Sequence, residues 1–178
     1  MKLFRCLICG DPYMGSGKPS NCPFCGAPEE YLVPGREWVD ENLSLGELTP
    51  VSRDNLTKAL QLEVNNSAFY RDAMNKTSNI VLQGIFKYLS KVENEHASTI
   101  KKILKVEPPP PEPGKEAATD DDRKNLEYAM ERETNAKKFY LESGEAAVEP
   151  RVKKVFEAIS RIESDHVGIE KELLGSGY

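Results

Sequence analysis

The sequence predicts a mainly α protein in which a four-helix bundle with one long crossover follows a small four-cysteine metal module. Three observations predict it: an internal repeat with an offset of 70 residues, two Cys-x-x-Cys knuckles near the start, and a proline run between the two repeats. A repeat of this length implies two similar helical hairpins related by a pseudo-twofold axis.

The chain of 178 residues is long enough for one bundle and one compact module. We place the module and its joint at 1–48 and the bundle at 49–178. The net charge is −5, and basic residues are interspersed with acidic ones. The sequence therefore predicts no basic stripe of the kind that binds nucleic acid. We expect a soluble cytoplasmic protein, because no apolar run reaches membrane-span length and the cysteine motif follows the start directly, leaving no room for a signal peptide.

The first predicted element is the metal module. Two knuckles separated by twelve residues supply its ligands, Cys6, Cys9, Cys22 and Cys25. Four cysteines in a cytosolic chain favour a metal site over disulfides, which are the alternative, and tetrahedral thiolate sites accept both iron and zinc. Gly10 and Gly26 follow the second cysteine of each knuckle and allow the backbone to fold tightly around the sulfur atoms.

A module of about 35 residues cannot bury enough surface to fold without its metal. We therefore expect only a small core beside the metal, built from aromatic residues. The aromatic residues available for it are Tyr13, Phe24, Tyr31 and Trp38.

Apolar residues at helical spacing predict four helices after the module. Their approximate ranges are 50–76, 81–105, 119–145 and 150–175. The acidic run 120–122 suits the positive N-terminus of the third helix, and Pro150 suits the first turn of the fourth.

The crossover linker, residues 106–118, contains a proline run that cannot be helical. In polyproline II conformation these residues span roughly 40 Å at about 3.1 Å per residue, close to the roughly 38 Å of a 25-residue helix. The linker therefore reaches across the bundle, and it is also long enough to carry one hairpin to a neighbouring subunit.

Each copy of the repeat holds one Glu and, thirty residues later, a Glu-x-x-His pair. In chain order these residues are Glu63, Glu93, His96, Glu133, Glu163 and His166. The i, i+3 spacing puts Glu and His on one helix face, and apolar neighbours turn that face inward. Four carboxylates and two imidazoles suit two iron or manganese ions, with a duplicated structural helix pair as the alternative.

Other polar residues near these ligands are given different roles. Tyr70 and Tyr140 lie seven residues after the solitary Glu of each copy and are expected in the core, with hydroxyls bonded to ligand carboxylates. Glu95, Glu131 and Asp165 fall off the ligand face and are expected in solvent.

These motifs resemble those of rubrerythrins. The segments 6–10 with Tyr13 and 22–26 resemble a rubredoxin iron site, and the ordered Glu and Glu-x-x-His series resembles a ferritin-like di-iron bundle. Because the rubredoxin-like module stands first, the chain resembles the reverse rubrerythrin type. One departure is Ala136, which stands where rubrerythrins usually carry an extra Glu, and Asn66 occupies the pseudo-symmetric position.

The resemblance implies one mononuclear iron at the four cysteines, with zinc as a substitute, and a di-iron centre at the six helical ligands. It implies reduction of hydrogen peroxide or dioxygen to water in oxidative-stress defence. Electrons would pass from an external NAD(P)H-dependent reductase through the thiolate-bound iron to the di-iron centre. The alternatives are a ferroxidase or iron-handling protein and a zinc-stabilised interaction protein.

A homodimer is also expected. The module is joined to one end of a long bundle, so we expect its iron to be too far from the di-iron centre of the same chain. This predicts a head-to-tail dimer, with or without exchanged helices, in which the module of one subunit serves the other.

Overall fold

The computed structural model describes residues 1–176 and contains a bundle of four long helices. These are α1 (Pro50–Lys76), α2 (Ile80–Leu104), α3 (Asp122–Ala146) and α4 (Pro150–Ser176). A three-stranded antiparallel sheet precedes them, with β1 (Lys2–Cys6) between β2 (Pro12–Gly15) and β3 (Leu32–Pro34). The predicted fold class is thus confirmed. Within residues 1–176, no helix combines the length and apolar content needed to cross a bilayer.

Side-chain caps mark the starts of α2 and α3, and a left-handed residue marks the end of α2. Asn79 accepts hydrogen bonds from the first amides of α2, and the Asp121 carboxylate accepts one from the Lys124 amide at 3.1 Å. Because Asp121 is the cap, α3 begins slightly later than the acidic run suggested. Lys105 ends α2 in the left-handed conformation, with φ of 57°.

The crossover runs along α1. Asn65 donates to the Glu112 carboxylate and accepts from the Glu112 amide, both at 2.9 Å. Further along α1, the Asp72 carboxylate accepts from the Ala118 amide at 2.8 Å. The linker thus starts α3 beside the C-terminal end of α1, so these helices are antiparallel and both hairpins close one bundle within a single chain.

Two apolar clusters fill the bundle on either side of its polar middle. One contains Leu56, Leu60, Ile100, Tyr140 and Phe156, among others. The other contains Phe69, Tyr70, Leu82, Phe86 and Leu126, among others. The predicted carboxylate and imidazole ligands lie in sequence between these clusters, so the apolar packing seals their layer from both ends.

The module packs against the flank of the bundle, so the expectation of a distant module was wrong. Its cysteines, Ile8 and Leu32 form one apolar cluster with Val92, Ala158 and Ile162 of the bundle. This arrangement has a physical reason: the module is too small to cover its own apolar side, and α2 and α4 cover it.

Polar contacts also hold the module against the bundle. Arg151 at the start of α4 donates to the carbonyls of Leu7 and Ile8, at 2.5 and 2.7 Å. The predicted aromatic core does not form: Phe24 is 39% exposed, and Tyr13, Tyr31 and Trp38 are only half-buried. The module's buried residues are instead its cysteines, Ile8, Ala27 and Leu32, which pack against the bundle. Trp38 donates its indole N–H to the Cys6 carbonyl at 3.0 Å.

Candidate metal centres

The four cysteines converge on one point. The Cys6 and Cys25 sulfur atoms are 3.7 Å apart, and those of Cys9 and Cys22 are 3.8 Å apart. A tetrahedral ion with metal–sulfur bonds of about 2.3 Å has ligand–ligand separations of about 3.8 Å, whereas a disulfide bond is about 2.05 Å long. All four are buried free thiols. Their spacing therefore fits a metal ion such as iron or zinc.

The knuckle backbone is arranged around these sulfur atoms. The amides of Ile8 and Asp11 donate to the sulfurs of Cys6 and Cys9 at 3.3 and 3.4 Å, which stabilises thiolate charge. Gly26 closes the second knuckle with φ of 78°, a conformation that favours glycine. A Cβ atom there would lie 3.0 Å from Ile162, so the glycine also permits the close approach of α4.

The structure also brings all six predicted bundle ligands into one buried cluster. His96 Nδ1 lies 3.6, 3.3 and 3.4 Å from carboxylate oxygens of Glu63, Glu93 and Glu163. His166 Nδ1 lies 3.2, 3.9 and 3.0 Å from those of Glu93, Glu133 and Glu163.

Two positions for metal ions follow from this geometry. Glu93 and Glu163 each approach both imidazoles, which is the placement of bridging ligands. Glu63 and Glu133 each approach one imidazole, which is the placement of terminal ligands. These distances assign the two roles, which the ligand motif alone does not.

The unpaired atoms of this cluster test whether it fits a metal. Buried polar atoms without a hydrogen-bond partner include Glu63 Oε2, both oxygens of Glu93, Glu133 Oε2, Glu163 Oε1 and His96 Nδ1. Each such atom costs about 1–3 kcal/mol when it is left unsatisfied, and more when it is charged. Six of the eleven such atoms found among the described residues belong to the predicted ligands, and the other five belong to Asn66, Glu95, Thr99, Glu116 and Glu170. Carboxylate oxygen with imidazole nitrogen suits iron or manganese, so the donor set fits a pair of these ions.

A hydrogen bond joins this cluster to the cysteine cluster. His96 Nε2 lies 3.0 Å from the carbonyl oxygen of Cys25. A carbonyl oxygen only accepts hydrogen bonds, so Nε2 must carry the proton, and Nδ1 faces the three carboxylates. The backbone of the cysteine cluster therefore orients the His96 ring so that Nδ1 is available to bind a metal.

Charges in the metal-free cluster balance internally. Burial lowers the pKa of both imidazoles, but hydrogen bonds to the carboxylates outweigh it and hold both values well above the ordinary range. Burial, followed by the nearby carboxylates, raises the pKa of the terminal Glu63 and Glu133. Burial also opposes ionisation of Glu93 and Glu163, yet bonds from the imidazoles lower both of their pKa values. Two imidazolium rings thus face two carboxylates and two neutral carboxyls.

Both predicted tyrosines hold terminal ligands across the bundle. The Tyr70 hydroxyl on α1 donates to Glu133 on α3, and the Tyr140 hydroxyl on α3 donates to Glu63 on α1. Burial, followed by the adjacent carboxylates, raises the pKa of both phenols, so they stay neutral donors.

One buried carboxyl, Glu170, was missed from the sequence. It is fully buried, one turn after His166, and its oxygen lies 2.6 Å from the Tyr70 hydroxyl. The repeat held the signal that could have found it: 70 residues earlier stands Ile100, an apolar residue four positions after His96, so position 170 is expected on the same inner face.

The remaining polar expectations have mixed outcomes. Glu131 and Asp165 are exposed as expected. Glu95 is half-buried beneath the module, and burial raises its pKa to about 7, so its expected solvation was wrong. Ala136 and Asn66 are buried, and neither offers a seventh carboxylate.

Comparisons with known proteins agree with this architecture. A family model described as the ferritin-like domain matches residues 52–176. Over 46 residues the chain is 41% identical to "Reverse rubrerythrin-1" of Clostridium acetobutylicum, a match that covers 24% of this chain and 25% of that protein. The match therefore spans about a quarter of the curated relative's length. A solved structure, "Hypothetical Protein Pfu-1136390-001" from Pyrococcus furiosus, aligns with a TM-score of 0.62 and 19% identity, covering 70% of this chain and 88% of that one. It supports the fold alone.

Proposed function

Because this chain belongs to the ferritin-like domain family and has the module order of the reverse rubrerythrin type, we propose that it reduces hydrogen peroxide to water. In this proposal an external NAD(P)H-dependent reductase delivers electrons to iron at the four cysteines. The electrons then pass to a di-iron centre held by the six bundle ligands. The role fits oxidative-stress defence in the cytoplasm.

The hydrogen bond between Cys25 and His96 is the observation that carries this proposal. From the Cys25 sulfur, a path runs through Cβ, Cα and the carbonyl group, crosses one hydrogen bond of 3.0 Å, and continues through the His96 ring to Nδ1. A predicted ligand of the cysteine site, Cys25, thus stands at one end of a short, buried path, and a predicted ligand of the bundle site, His96, stands at the other. A ferroxidase has little use for such a path, and a zinc-stabilised interaction protein has no use for the bundle ligands.

The chemistry needs two electrons and two protons for each peroxide, which yield two water molecules. When bound, the iron pair supplies the two electrons. The chain would hold the ions with Glu93 and Glu163 together with the other four ligands. Its tyrosine hydroxyls hold Glu63 and Glu133 in place, and apolar side chains seal the layer.

Single-turnover oxidation tests the proposal. We expect fully reduced, iron-loaded protein to consume peroxide stoichiometrically, and stopped-flow absorbance should show the thiolate-bound iron becoming oxidised as well. In Cys9→Ser protein the bundle should still react, but the thiolate-iron signal should be lost. If reduced wild type reacted with dioxygen and ignored peroxide, the oxidase or ferroxidase alternative would replace this proposal.

The buried path predicts electron transfer within one chain. A homodimer remains part of our proposal, but the path in the structure does not require a second subunit. We expect a co-expressed pair, Cys9→Ser in one chain and Glu93→Ala in the other, to show no peroxide-driven oxidation of the thiolate-bound iron. Differently tagged chains allow the mixed dimer to be purified, and wild type with each variant serves as the control. Full activity in the doubly mutated pair would instead support exchange between subunits.

A further inference from the structure

Three cationic side chains surround the first cysteine knuckle, residues 6–10. Each donates hydrogen bonds to backbone carbonyl groups of the knuckle, so that four successive carbonyls bond a positive charge. Two of these cations belong to the bundle, on α2 and α4, and the third belongs to β1. The bonds are those of Arg151 to Leu7 and Ile8 at 2.5 and 2.7 Å, of Lys102 to Cys9 at 3.2 Å, and of Arg5 to Gly10 at 2.9 Å.

The second knuckle, residues 22–26, has a different environment. Within the part of the chain that the structure describes, the side chains that bond its carbonyl oxygens are those of Asn21 and His96. No lysine or arginine of residues 1–176 does so. The lysine and arginine charges therefore lie against the knuckle that holds Cys6 and Cys9.

Acidic side chains do not account for the position of these cations. The nearest carboxylate oxygens among the described residues are 3.8 Å from Arg151 and 3.8 Å from Lys102, farther away than the carbonyls. Glu41, the acid beside Arg151, has a closer partner in Lys154 at 2.5 Å. Arg151 is only 8% exposed, and a buried cation needs nearby negative charge to offset its lost hydration. A metal site of four thiolates supplies that charge.

The charge of such a site depends on its oxidation state. Four thiolates outweigh the charge of either ferric or ferrous iron, so the site is negative in both states. Reduction adds one electron and makes the ferrous site more negative by one elementary charge. A nearby cation therefore stabilises the ferrous form more than the ferric form. The effect is largest for a buried cation, because water and salt screen it less.

We propose that Arg151 and Lys102 of the bundle, together with Arg5, raise the reduction potential of iron at the four cysteines. This inference rests on the part of the proposed function that places iron there. In the reduction step the external reductase loses one electron, and ferric iron gains it and becomes ferrous. Contact with the bundle thus makes the module a better acceptor of electrons than its own residues would make it.

Redox titration of iron-loaded protein tests the effect of charge. The visible absorption of the ferric thiolate site reports its oxidation state, and variants are compared at equal iron content. In Arg151→Gln we expect reduction to become about tenfold less favourable, which is a fall of about 59 mV for a one-electron couple. Arg151→Lys keeps the charge and should recover most of the wild-type potential. An equal fall in both variants would mean that contact geometry sets the potential, which would overturn the proposal.

Lys102 offers a test that does not disturb packing, because its side chain is 42% exposed. The potential should fall in Lys102→Gln and fall further in Lys102→Glu. Lys101→Gln is the matched control and should keep the wild-type potential. Lys101 is the preceding residue on α2, but it contacts Glu107 of the crossover linker at 3.2 Å instead of the module. Potentials in both Lys102 variants equal to that of the control would also overturn the proposal.

Peroxide enters none of these measurements, so this inference and the proposed function fail separately. An iron-loaded protein that ignores peroxide is not a peroxidase, yet its reduction potentials still decide the role of the cations. Conversely, a protein that consumes peroxide but keeps one potential in all these variants retains the proposed function and loses this inference.

Discussion

Replacing Glu93 with Ala is expected to remove both metal ions from the bundle, whereas Glu63→Ala should leave one of them bound. Glu93 lies 3.3 Å from the His96 Nδ1 and 3.2 Å from the His166 Nδ1, so both metal positions share it. Glu63 approaches His96 alone. Loss of a shared ligand therefore weakens metal binding at both positions.

Metal analysis and calorimetric titration measure this difference directly. Bundle metal should fall from about two ions per chain to none in Glu93→Ala and to about one in Glu63→Ala. Glu131→Ala is the matched control, because that exposed acid lies on α3 two residues before Glu133 but off the ligand face. Equal metal content in the Glu93 and Glu63 variants would contradict the assignment of bridging and terminal roles.

Glu93→Ala should also lower the stability of the metal-free protein. Glu93 is the anion between two imidazolium rings, and removing one partner of a buried charge pair costs about 3–5 kcal/mol. Urea unfolding of the metal-free variant should show this loss, with Glu131→Ala unchanged. That the six bundle residues bind the metals stays a prediction until these experiments are done.

Local chemistry explains which features the sequence could predict. Metal ligands need fixed helical spacing, so Glu93 with His96 and Glu163 with His166 were recognisable as inward pairs. Helix starts depend on caps within a few residues, and their predicted ranges differ little from the observed ones. The boundary near residue 48 between module and bundle stays a prediction.

The position of the module depends on contacts between distant residues, which no local pattern reveals. Val92 on α2 is buried, and the residues that bury it include those of the cysteine module. Because this docking was not foreseen, the burial of Glu95, the exposure of Phe24 and the bond from His96 to Cys25 were not foreseen either. Glu170 escaped attention for another reason: it breaks the repeat, and the search followed matching residues.

A rise in pH is expected to destabilise the metal-free bundle and to strengthen its binding of metal. In the metal-free protein, His96 and His166 have folded pKa values above the unfolded value of about 6.5, so their stabilising effect is full below that pH and is lost as pH rises through the folded pKa. Glu63 and Glu133 also have raised folded values, so they hold protons that the unfolded chain releases above about pH 4.3.

Stability of the metal-free bundle should therefore fall as pH rises. Above the unfolded pKa of each group its folded state binds the extra proton until pH passes the folded pKa, and each such proton lowers the free energy of unfolding by about 1.4 kcal/mol per pH unit. Glu93 and Glu163 have lowered folded values, so their contribution is present above about pH 4.3 and is lost only on acidification. Metal binding displaces the protons of both imidazoles and both terminal carboxyls, so affinity for metal should rise with pH.

Urea unfolding followed by helical circular dichroism checks both slopes, on protein whose cysteine site holds zinc and whose bundle is either metal-free or metal-loaded. The double variant Glu63→Gln with Glu133→Gln is the control, because glutamine copies the neutral carboxyls and cannot ionise. Without bundle metal this variant should match wild type at about pH 4.3 and should be increasingly more stable than wild type as pH rises. A metal-free wild type that became more stable from about pH 6 to pH 9 would contradict this charge assignment, because the unfolded chain would then hold more protons than the folded cluster.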